Sequence, residues 1–260
     1  MNTLHYSDNG SGLPVVLAHA FAVDHLLWKP QIDVLGGRYR LIAPDLRGFG
    51  RSVATDGRPI SMDQYADDIL ELLDRLGIKR AVVGGISLGG YVALSLVLRH
   101  QERVSGLILA NTRAGPDNPE WASFREELVR DVEKRGTLAV VENYGDKPFR
   151  DNCPEDIKDY VRMMILRQAG TGLASGTRGM AARPDRRPEL GRISVPTLVI
   201  SGTEDKYIPS AEGEAMHRAI GGSRFVDIPH GGHLSNIDSA DAFNQAVGDF
   251  LESIAQEHRS

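Results

Sequence analysis

Six short apolar segments, most of them followed by an amphipathic stretch, constrain the fold of this chain more than any other feature. They are PVVLA (14–18), RLIA (40–43), AVVGGI (81–86), GLILA (106–110), TLVIS (197–201) and RFVDI (224–228). Most are continuously apolar, which is typical of strands covered on both faces of a parallel sheet. Strands of this kind alternating with helices predict an α/β fold with a mostly parallel, doubly wound sheet.

The stretch SMDQYADDILELLDRLG (61–77) gives the clearest helical pattern. Its apolar residues recur at helical spacing, Ser61 and Gln64 match a capping box, and Gly77 is a suitable stop. Similar helical patterns cover 88–100, 209–219 and 239–255. These segments supply the helices that the predicted sheet requires.

One long interval breaks the alternation. No strand pattern occurs between Ala110 and Thr197; 120–168 is helical in pattern, and the segment after it is rich in Gly, Arg and Pro. An insertion of this kind in an α/β sheet is typical of a lid over the functional site. We therefore predict a core formed by 1–113 and 188–260, with a small helical cap at 114–187.

Composition excludes several classes of partner. The chain has 260 residues and a net charge of -5, with no basic run to neutralise phosphates, so neither nucleic acid nor an anionic membrane is an expected partner. Its single cysteine, Cys153, cannot form an internal disulfide. The start of the sequence lacks a signal-peptide pattern and no apolar run reaches membrane-spanning length, so we expect a cytoplasmic protein. A homo-oligomer is left open.

The segment Gly85-Ile86-Ser87-Leu88-Gly89 matches G-x-S-x-G between a strand and a helix. A sharp turn there strains the serine backbone but lifts its hydroxyl clear of the sheet, and the close main chains need small residues on either side. The helix that follows points N–H groups to where negative charge would develop. Ser87 is therefore a candidate nucleophile.

A nucleophilic serine needs a base, and the base needs an orienting acid, in the chain order serine, acid, histidine. Glu204 and Asp205 follow one predicted strand, and His230 and His233 follow the next. The carboxyl ends of strands are where such sheets place their sites, and the residues alone leave both choices open.

An oxyanion hole requires two N–H donors. We predict the backbone N–H groups of Leu88, which opens the helix after the serine, and of Phe21, which lies just past the strand 14–18.

The cap and the remaining motifs suggest further sites. Trp121, Phe124 and Met180 are candidates for lining a substrate pocket, although such residues often only pack cap helices together. A zinc cluster of His230, His233 and Asp238 matches no common zinc spacing, and the Gly-rich segment 84–90 fails the dinucleotide pattern. We predict no metal and no cofactor.

Together, four segments resemble the α/β-hydrolase superfamily, and the resemblance covers nearly the whole chain. They are PDLRGFGRS (44–52), GGISLGGYVAL (84–94), ISVPTLVISGTEDKYIP (193–209) and IPHGGHLSNIDSADAFNQAVGDFL (228–251). Within that superfamily the chain looks most similar to bacterial carboxylesterases and 3-oxoadipate enol-lactonases, through LANTRAGPDNPE (109–120) and RGMAARPD (178–185).

The resemblance resolves the choices that the residues leave open. It implies Asp205 as the acid, from the G-x-x-D turn, and His233 as the base, from G-G-H-L. One departure affects the oxyanion hole, because His19-Ala20 stands where the family usually has His-Gly.

The implied function is hydrolysis of small carboxylic esters or lactones through an acyl-enzyme on Ser87. The alternatives are a cofactor-free perhydrolase of the haloperoxidase type and a non-catalytic receptor for a small ligand. Enol-lactonase activity would also need cationic groups for a substrate carboxylate, and the candidates in or beside the cap are Arg113, Arg125, Arg178 and Arg183.

Overall fold

The computed structural model describes residues 4–257, and in that range a seven-stranded sheet forms the centre of the molecule. The strands are β1 (Tyr6–Asn9), β2 (Pro14–Ala18), β3 (Arg40–Pro44), β4 (Ala81–Ile86), β5 (Val104–Ala110), β6 (Thr197–Gly202) and β7 (Arg224–Ile228). Their order in the sheet is β1-β3-β2-β4-β5-β6-β7. Every residue of the central strands β4 and β5 is buried, as the continuous apolar segments predicted.

All pairings are parallel except the one between β1 and β3. No sequence pattern predicts β1, because its four residues, YSDN, carry no run of apolar side chains. As an edge strand it has a neighbour on one side only, and short polar strands are common in that position. The prediction of a mostly parallel α/β sheet is confirmed.

Helices cover both faces of the sheet. The core helices are α1 (Lys29–Leu35), α2 (Met62–Arg75), α3 (Leu88–Arg99), α8 (Ser210–Ala219), α9 (Ser235–Asp238) and α10 (Ala240–Glu257). α2 packs with α3, and α1 packs with α10. The predicted capping box is present, since the Ser61 side chain accepts from the Gln64 N–H and the Gln64 side chain accepts from the Ser61 N–H. Short 3-10 turns occur at His25–Trp28, Gln101–Arg103 and Arg187–Arg192.

Four helices lie between β5 and β6, within the predicted cap. They are α4 (Pro119–Arg135), α5 (Thr137–Tyr144), α6 (Glu155–Leu166) and α7 (Gly170–Ala181). α4 packs against α7, and α5 packs against both α4 and α6. The helix α7 occupies a Gly-rich segment in which the sequence analysis identified no helix. Over the part of the chain described here, none of the helices has the length and apolarity needed to cross a bilayer.

Candidate active site

Ser87 lies between the end of β4 and the first turn of α3, in a strained backbone conformation. Its φ of 55° and ψ of -114° fall in a region that residues with a side chain rarely adopt. Surrounding main chain holds this geometry, because the Ser87 N–H donates to the Ala110 carbonyl at 3.0 Å and the Ser87 carbonyl accepts from the Gly90 N–H at 2.9 Å. The hydroxyl is therefore presented at the carboxyl edge of the sheet.

The two flanking glycines make this turn possible. A Cβ on Gly85 would lie 2.2 Å from the carbonyl carbon of Gly89, and a Cβ on Gly89 would lie 2.1 Å from the carbonyl oxygen of Ala18. Either side chain would force the backbone apart. The turn thus requires glycine at these two positions of the G-x-S-x-G pattern for the steric reason inferred from the sequence.

Ser87, His233 and Asp205 form one hydrogen-bonded chain. The Ser87 Oγ lies 2.8 Å from His233 Nε2, and His233 Nδ1 lies 2.8 Å from Asp205 Oδ2. An ionised carboxylate can only accept, so His233 carries its proton on Nδ1 and Nε2 accepts from the serine hydroxyl. This is the orientation in which an imidazole can take the serine proton.

The carboxylate of Asp205 is buried and held by several donors. Its Oδ1 accepts from the Tyr207 and Ile208 N–H groups at 2.8 and 2.9 Å, and Asn111 Nδ2 donates to Oδ2 at 3.0 Å. Burial alone would raise the pKa of Asp205, but the neighbouring His233 and these donors outweigh it and lower the pKa. The group is therefore ionised at neutral pH.

The neighbouring candidates face elsewhere. Glu204 accepts from His230 Nδ1 at 2.8 Å and from the Asp151 N–H at 2.7 Å, and the His230 side chain is 80% exposed. Asp205, rather than Glu204, thus contacts His233.

The predicted oxyanion region lies beside the serine. Phe21 follows β2 and lines the same pocket as Ser87, while Leu88 is the first residue of α3. His19 is fully buried; its Nε2 accepts from the Leu46 N–H at 2.9 Å and its Nδ1 donates to the Ala20 carbonyl at 2.7 Å. Burial lowers the pKa of His19, so the ring is neutral and braces the loop that carries Phe21.

A pocket lined in part by residues of α4, α5, α6 and α7 opens onto Ser87 and His233, with an empty volume of about 690 Å³ that includes the open space at its mouth. Trp121 and Met180 line it, as do Tyr144 and Tyr207, which the sequence analysis did not single out. Phe124 instead packs edge-on against the Trp121 and Tyr144 rings, with centroids 5.3 and 6.1 Å away.

Arg113 and Arg125 stand in the wall of this pocket. Arg125 is buried and donates to both carboxylate oxygens of Asp117, and Arg183 forms an ion pair with the same carboxylate at 2.8 Å. Arg113 donates to the Tyr207 carbonyl at 2.7 Å. Its Nε is buried and has no hydrogen-bond partner among residues 4–257. Arg178 instead donates to the Gly57 carbonyl and to Glu133.

The residues weighed for a zinc cluster have separate partners. His233 is bonded to Ser87 and Asp205, and Asp238 accepts from backbone N–H groups. Within residues 4–257, the group of potential metal ligands that lies close together is His5, His25 and Asp45, where the Asp45 carboxylate accepts from both ring Nδ1 atoms at 2.9 and 2.7 Å.

Sequence and structure comparisons agree with the fold. The family described as alpha/beta hydrolase fold matches residues 14–240. Relatives include 3-oxoadipate enol-lactonase 1 of Acinetobacter baylyi, 30% identical over 92% of this chain and 89% of its own. A thermophilic esterase from Thermogutta terrifontis, solved with malate bound, is 38% identical with a TM-score of 0.94 over 97% of this chain and 94% of its own. The enol-lactonase from Burkholderia xenovorans LB400 is 33% identical with a TM-score of 0.89 over 96% of each chain. The chain therefore belongs to the α/β-hydrolase fold family.

Proposed function

We propose that this protein hydrolyses carboxylic esters or lactones of small molecules through an acyl-enzyme on Ser87. The observation that carries the proposal is the hydrogen-bonded chain from Ser87 through His233 to Asp205 at the base of a pocket. The likeness to a structurally characterised esterase and to enol-lactonases supports the same chemistry. No step of the proposed reaction calls for a cofactor.

Each residue has a defined task in this reaction. Ser87 attacks the carbonyl carbon while His233 Nε2 takes the hydroxyl proton, and His233 then gives that proton to the leaving alcohol. Asp205 keeps the imidazole in the required tautomer and stabilises the imidazolium. Water then attacks the acyl-enzyme by the same route, which releases the acid and restores the serine.

The developing oxyanion is proposed to accept hydrogen bonds from the N–H groups of Phe21 and Leu88. Leu88 opens α3, so its N–H lies at the positive end of the helix dipole. Phe21 follows β2 in the chain and lines the pocket that contains Ser87. Losing one such donor typically costs about 3 kcal/mol of transition-state stabilisation.

The direct test is Ser87→Ala, assayed with p-nitrophenyl acetate. We expect kcat/KM to fall by at least about 10³-fold, because the nucleophile is lost while the fold is kept. Ser253→Ala is the matched control, since Ser253 Oγ donates to the Phe250 carbonyl within α10, far from the pocket. Full turnover by Ser87→Ala would contradict the proposal.

The alternatives give different results with the wild-type protein. A receptor would bind a small molecule without turning over any ester in a broad panel. A perhydrolase would brominate monochlorodimedone in the presence of acetate and peroxide at a rate well above the blank. Ester turnover with no bromination is the result expected here.

A narrower substrate class is favoured by the arginines of the pocket wall. Arg113 and Arg125 line the pocket, and Arg183 binds Asp117 in its wall. Arg125 and Arg183 share that one carboxylate, while Arg113 donates to the Tyr207 carbonyl. Unbalanced positive charge in a buried site is costly, and an anionic ligand would offset it. We infer that esters or lactones bearing a carboxylate are preferred, as an enol-lactone of an oxo acid would be.

This preference is testable by comparing monomethyl glutarate with dimethyl glutarate. We expect the wild type to favour the monoanion in kcat/KM, and Arg113→Gln to reduce that ratio by about 10-fold, because one charge-assisted hydrogen bond is lost. Arg178→Gln is the control, since Arg178 is bound to Gly57 and Glu133. A ratio that Arg113→Gln leaves unchanged would overturn the preference without affecting the proposed ester hydrolysis.

A further inference from the structure

Gly232, the residue immediately before His233, is held on both of its backbone polar groups. Its carbonyl accepts from Asn111 Nδ2 at 3.1 Å, and its N–H donates to the Asp238 carboxylate at 3.1 Å. A Cβ at this position would lie 2.3 Å from the Arg150 nitrogen and 2.4 Å from Asp238 Oδ2. The backbone that leads into the histidine is therefore packed too closely to accept a side chain at Gly232.

Asn111 connects the histidine loop to the carboxylate of Asp205. It is 2% exposed and follows β5 with a φ of 43°. Its Nδ2 donates to Asp205 Oδ2 at 3.0 Å, the same oxygen that accepts from His233 Nδ1, as well as to the Gly232 carbonyl. Its Oδ1 accepts from Ser235 Oγ at 2.6 Å. Both groups facing Nδ2 are acceptors, so the hydrogen-bond network determines which way the amide points.

Asp238 holds Gly232 from the opposite side and also binds the cap. It is 5% exposed, and its Oδ2 accepts from the Arg150 N–H at 2.9 Å as well as from Gly232. The Arg150 side chain returns to the same residue, with Nε donating to the Asp238 carbonyl at 2.9 Å. The histidine loop is thus tied to the segment that leads from α5 to α6.

We propose that Asn111 and Asp238 are positioning residues that hold the backbone at Gly232 and thereby keep His233 aimed at Ser87 and Asp205. The proposal rests on the proposed ester hydrolysis, in which His233 moves the proton. Neither residue touches the reacting atoms. Their effect is on geometry, and a misplacement of about 1 Å in a reacting group can cost about 10²-fold in rate.

The test at Asn111 compares two substitutions of different chemistry. Asn111→Ala removes the donor and the side-chain volume, whereas Asn111→Asp keeps the shape and the acceptor for Ser235 but replaces the donor by a carboxylate facing Asp205. We expect both to lower kcat for p-nitrophenyl acetate by about 10- to 100-fold with KM nearly unchanged. A role in filling space alone would leave Asn111→Asp close to the wild type.

The test at Asp238 uses rescue by a conservative change. Asp238→Ala removes both acceptor oxygens and is expected to lower kcat as Asn111→Ala does. Asp238→Asn keeps one oxygen for the Gly232 and Arg150 N–H groups and is expected to recover most of kcat. Equal losses in the two Asp238 variants, or losses confined to KM, would overturn the positioning role.

The rate at which a fluorophosphonate labels Ser87 gives a second readout that does not depend on the natural substrate. We expect it to fall in parallel with kcat in the Asn111 variants and in Asp238→Ala. Asn143→Ala is the control, because that amide donates to Asp131 and to the Ala139 carbonyl within the cap.

A variant that fails to fold and a wild type that lacks ester turnover must each be distinguished from loss of positioning. If Asn111→Ala does not fold, Ser235→Ala removes only the bond that orients the amide and is expected to give a smaller fall in both rates. A wild-type protein without ester turnover would contradict the proposed function. The labelling rates would still show whether Asn111 and Asp238 affect the reactivity of Ser87. If the fluorophosphonate labels Ser87 in all of these variants at the wild-type rate, the inference is overturned.

Discussion

At the scale of single residues, what can be predicted from sequence depends on how local the physical requirement is. The turn around Ser87 was predictable because its glycines meet atoms only a few residues away or in the adjacent strand; a Cβ on Gly85 would clash with Gly89. The acid was harder to identify, since Glu204 and Asp205 occupy the same loop. In three dimensions, the Tyr207 and Ile208 N–H groups hold the Asp205 carboxylate in place. Asp205 contacts His233, whereas Glu204 contacts His230.

The residues that sequence reasoning missed act over long separations in the chain. Asn111 is bonded to Asp205 and Gly232, which lie 94 and 121 positions further along. An isolated Asn after a strand carries no pattern that indicates such partners. The one available signal was its place directly after a buried strand, at the same sheet edge as Ser87.

At the scale of elements, α7 shows tertiary packing overriding local preference. Each glycine in a helix costs about 1 kcal/mol relative to alanine, so its sequence, GTGLASGTRGMA, predicts no helix. In the structure Gly172 and Gly179 lie against main chain: a Cβ there would be 1.7 Å from the Gly48 carbonyl oxygen and 1.9 Å from that of Ile60. Their spacing places both on one helix face. The glycines allow α7 to approach the main chain at Gly48 and Ile60 closely.

We therefore expect Gly172→Ala to displace α7 from the core, despite the better helix propensity of alanine. The expected result is a destabilisation of about 2 kcal/mol, since overpacking a close contact typically costs that much, together with altered substrate KM because α7 carries Met180 of the pocket wall. Urea unfolding and steady-state kinetics measure the two effects. Gly170→Ala in the same helix is the control, because its nearest atoms would be 3.9 Å away. Equal stability of the two variants would contradict this account.

At the scale of the whole molecule, buried carboxylates set the response to acid. Burial would raise the pKa of Asp45 and of Asp117, but hydrogen bonds from His25 and the Arg51 N–H at the first, and from Arg183 and Arg125 at the second, lower both below the ordinary value of 3.8. Burial dominates at Asp238 and raises its pKa. The two kinds of site therefore contribute to stability in opposite pH ranges.

Asp117 allows the contribution of a buried carboxylate to stability to be tested as a function of pH. Because its folded pKa lies below the unfolded value near 3.8, its ionised form contributes stability above that value, and the contribution is lost as the pH falls through the folded pKa. We expect Asp117→Asn to lower the free energy of unfolding by about 3 kcal/mol at pH 7, since it leaves two buried guanidinium groups without their carboxylate. The deficit relative to the wild type should shrink as the pH falls below 3.8, because the unfolded wild type then takes up a proton at Asp117 and the ionised folded carboxylate contributes less stability.

Urea unfolding at pH 7, 5 and 3 measures that difference. Asp185→Asn is the matched control, because Asp185 pairs with Arg187 at the surface, where an ion pair contributes at most about 1 kcal/mol. A deficit for Asp117→Asn that stays constant across this range would show that the lost stability comes from packing around the side chain. A deficit that shrinks toward acid would show that it comes from the charge, and hence that the arginines beside the pocket depend on an anion for their place in the fold.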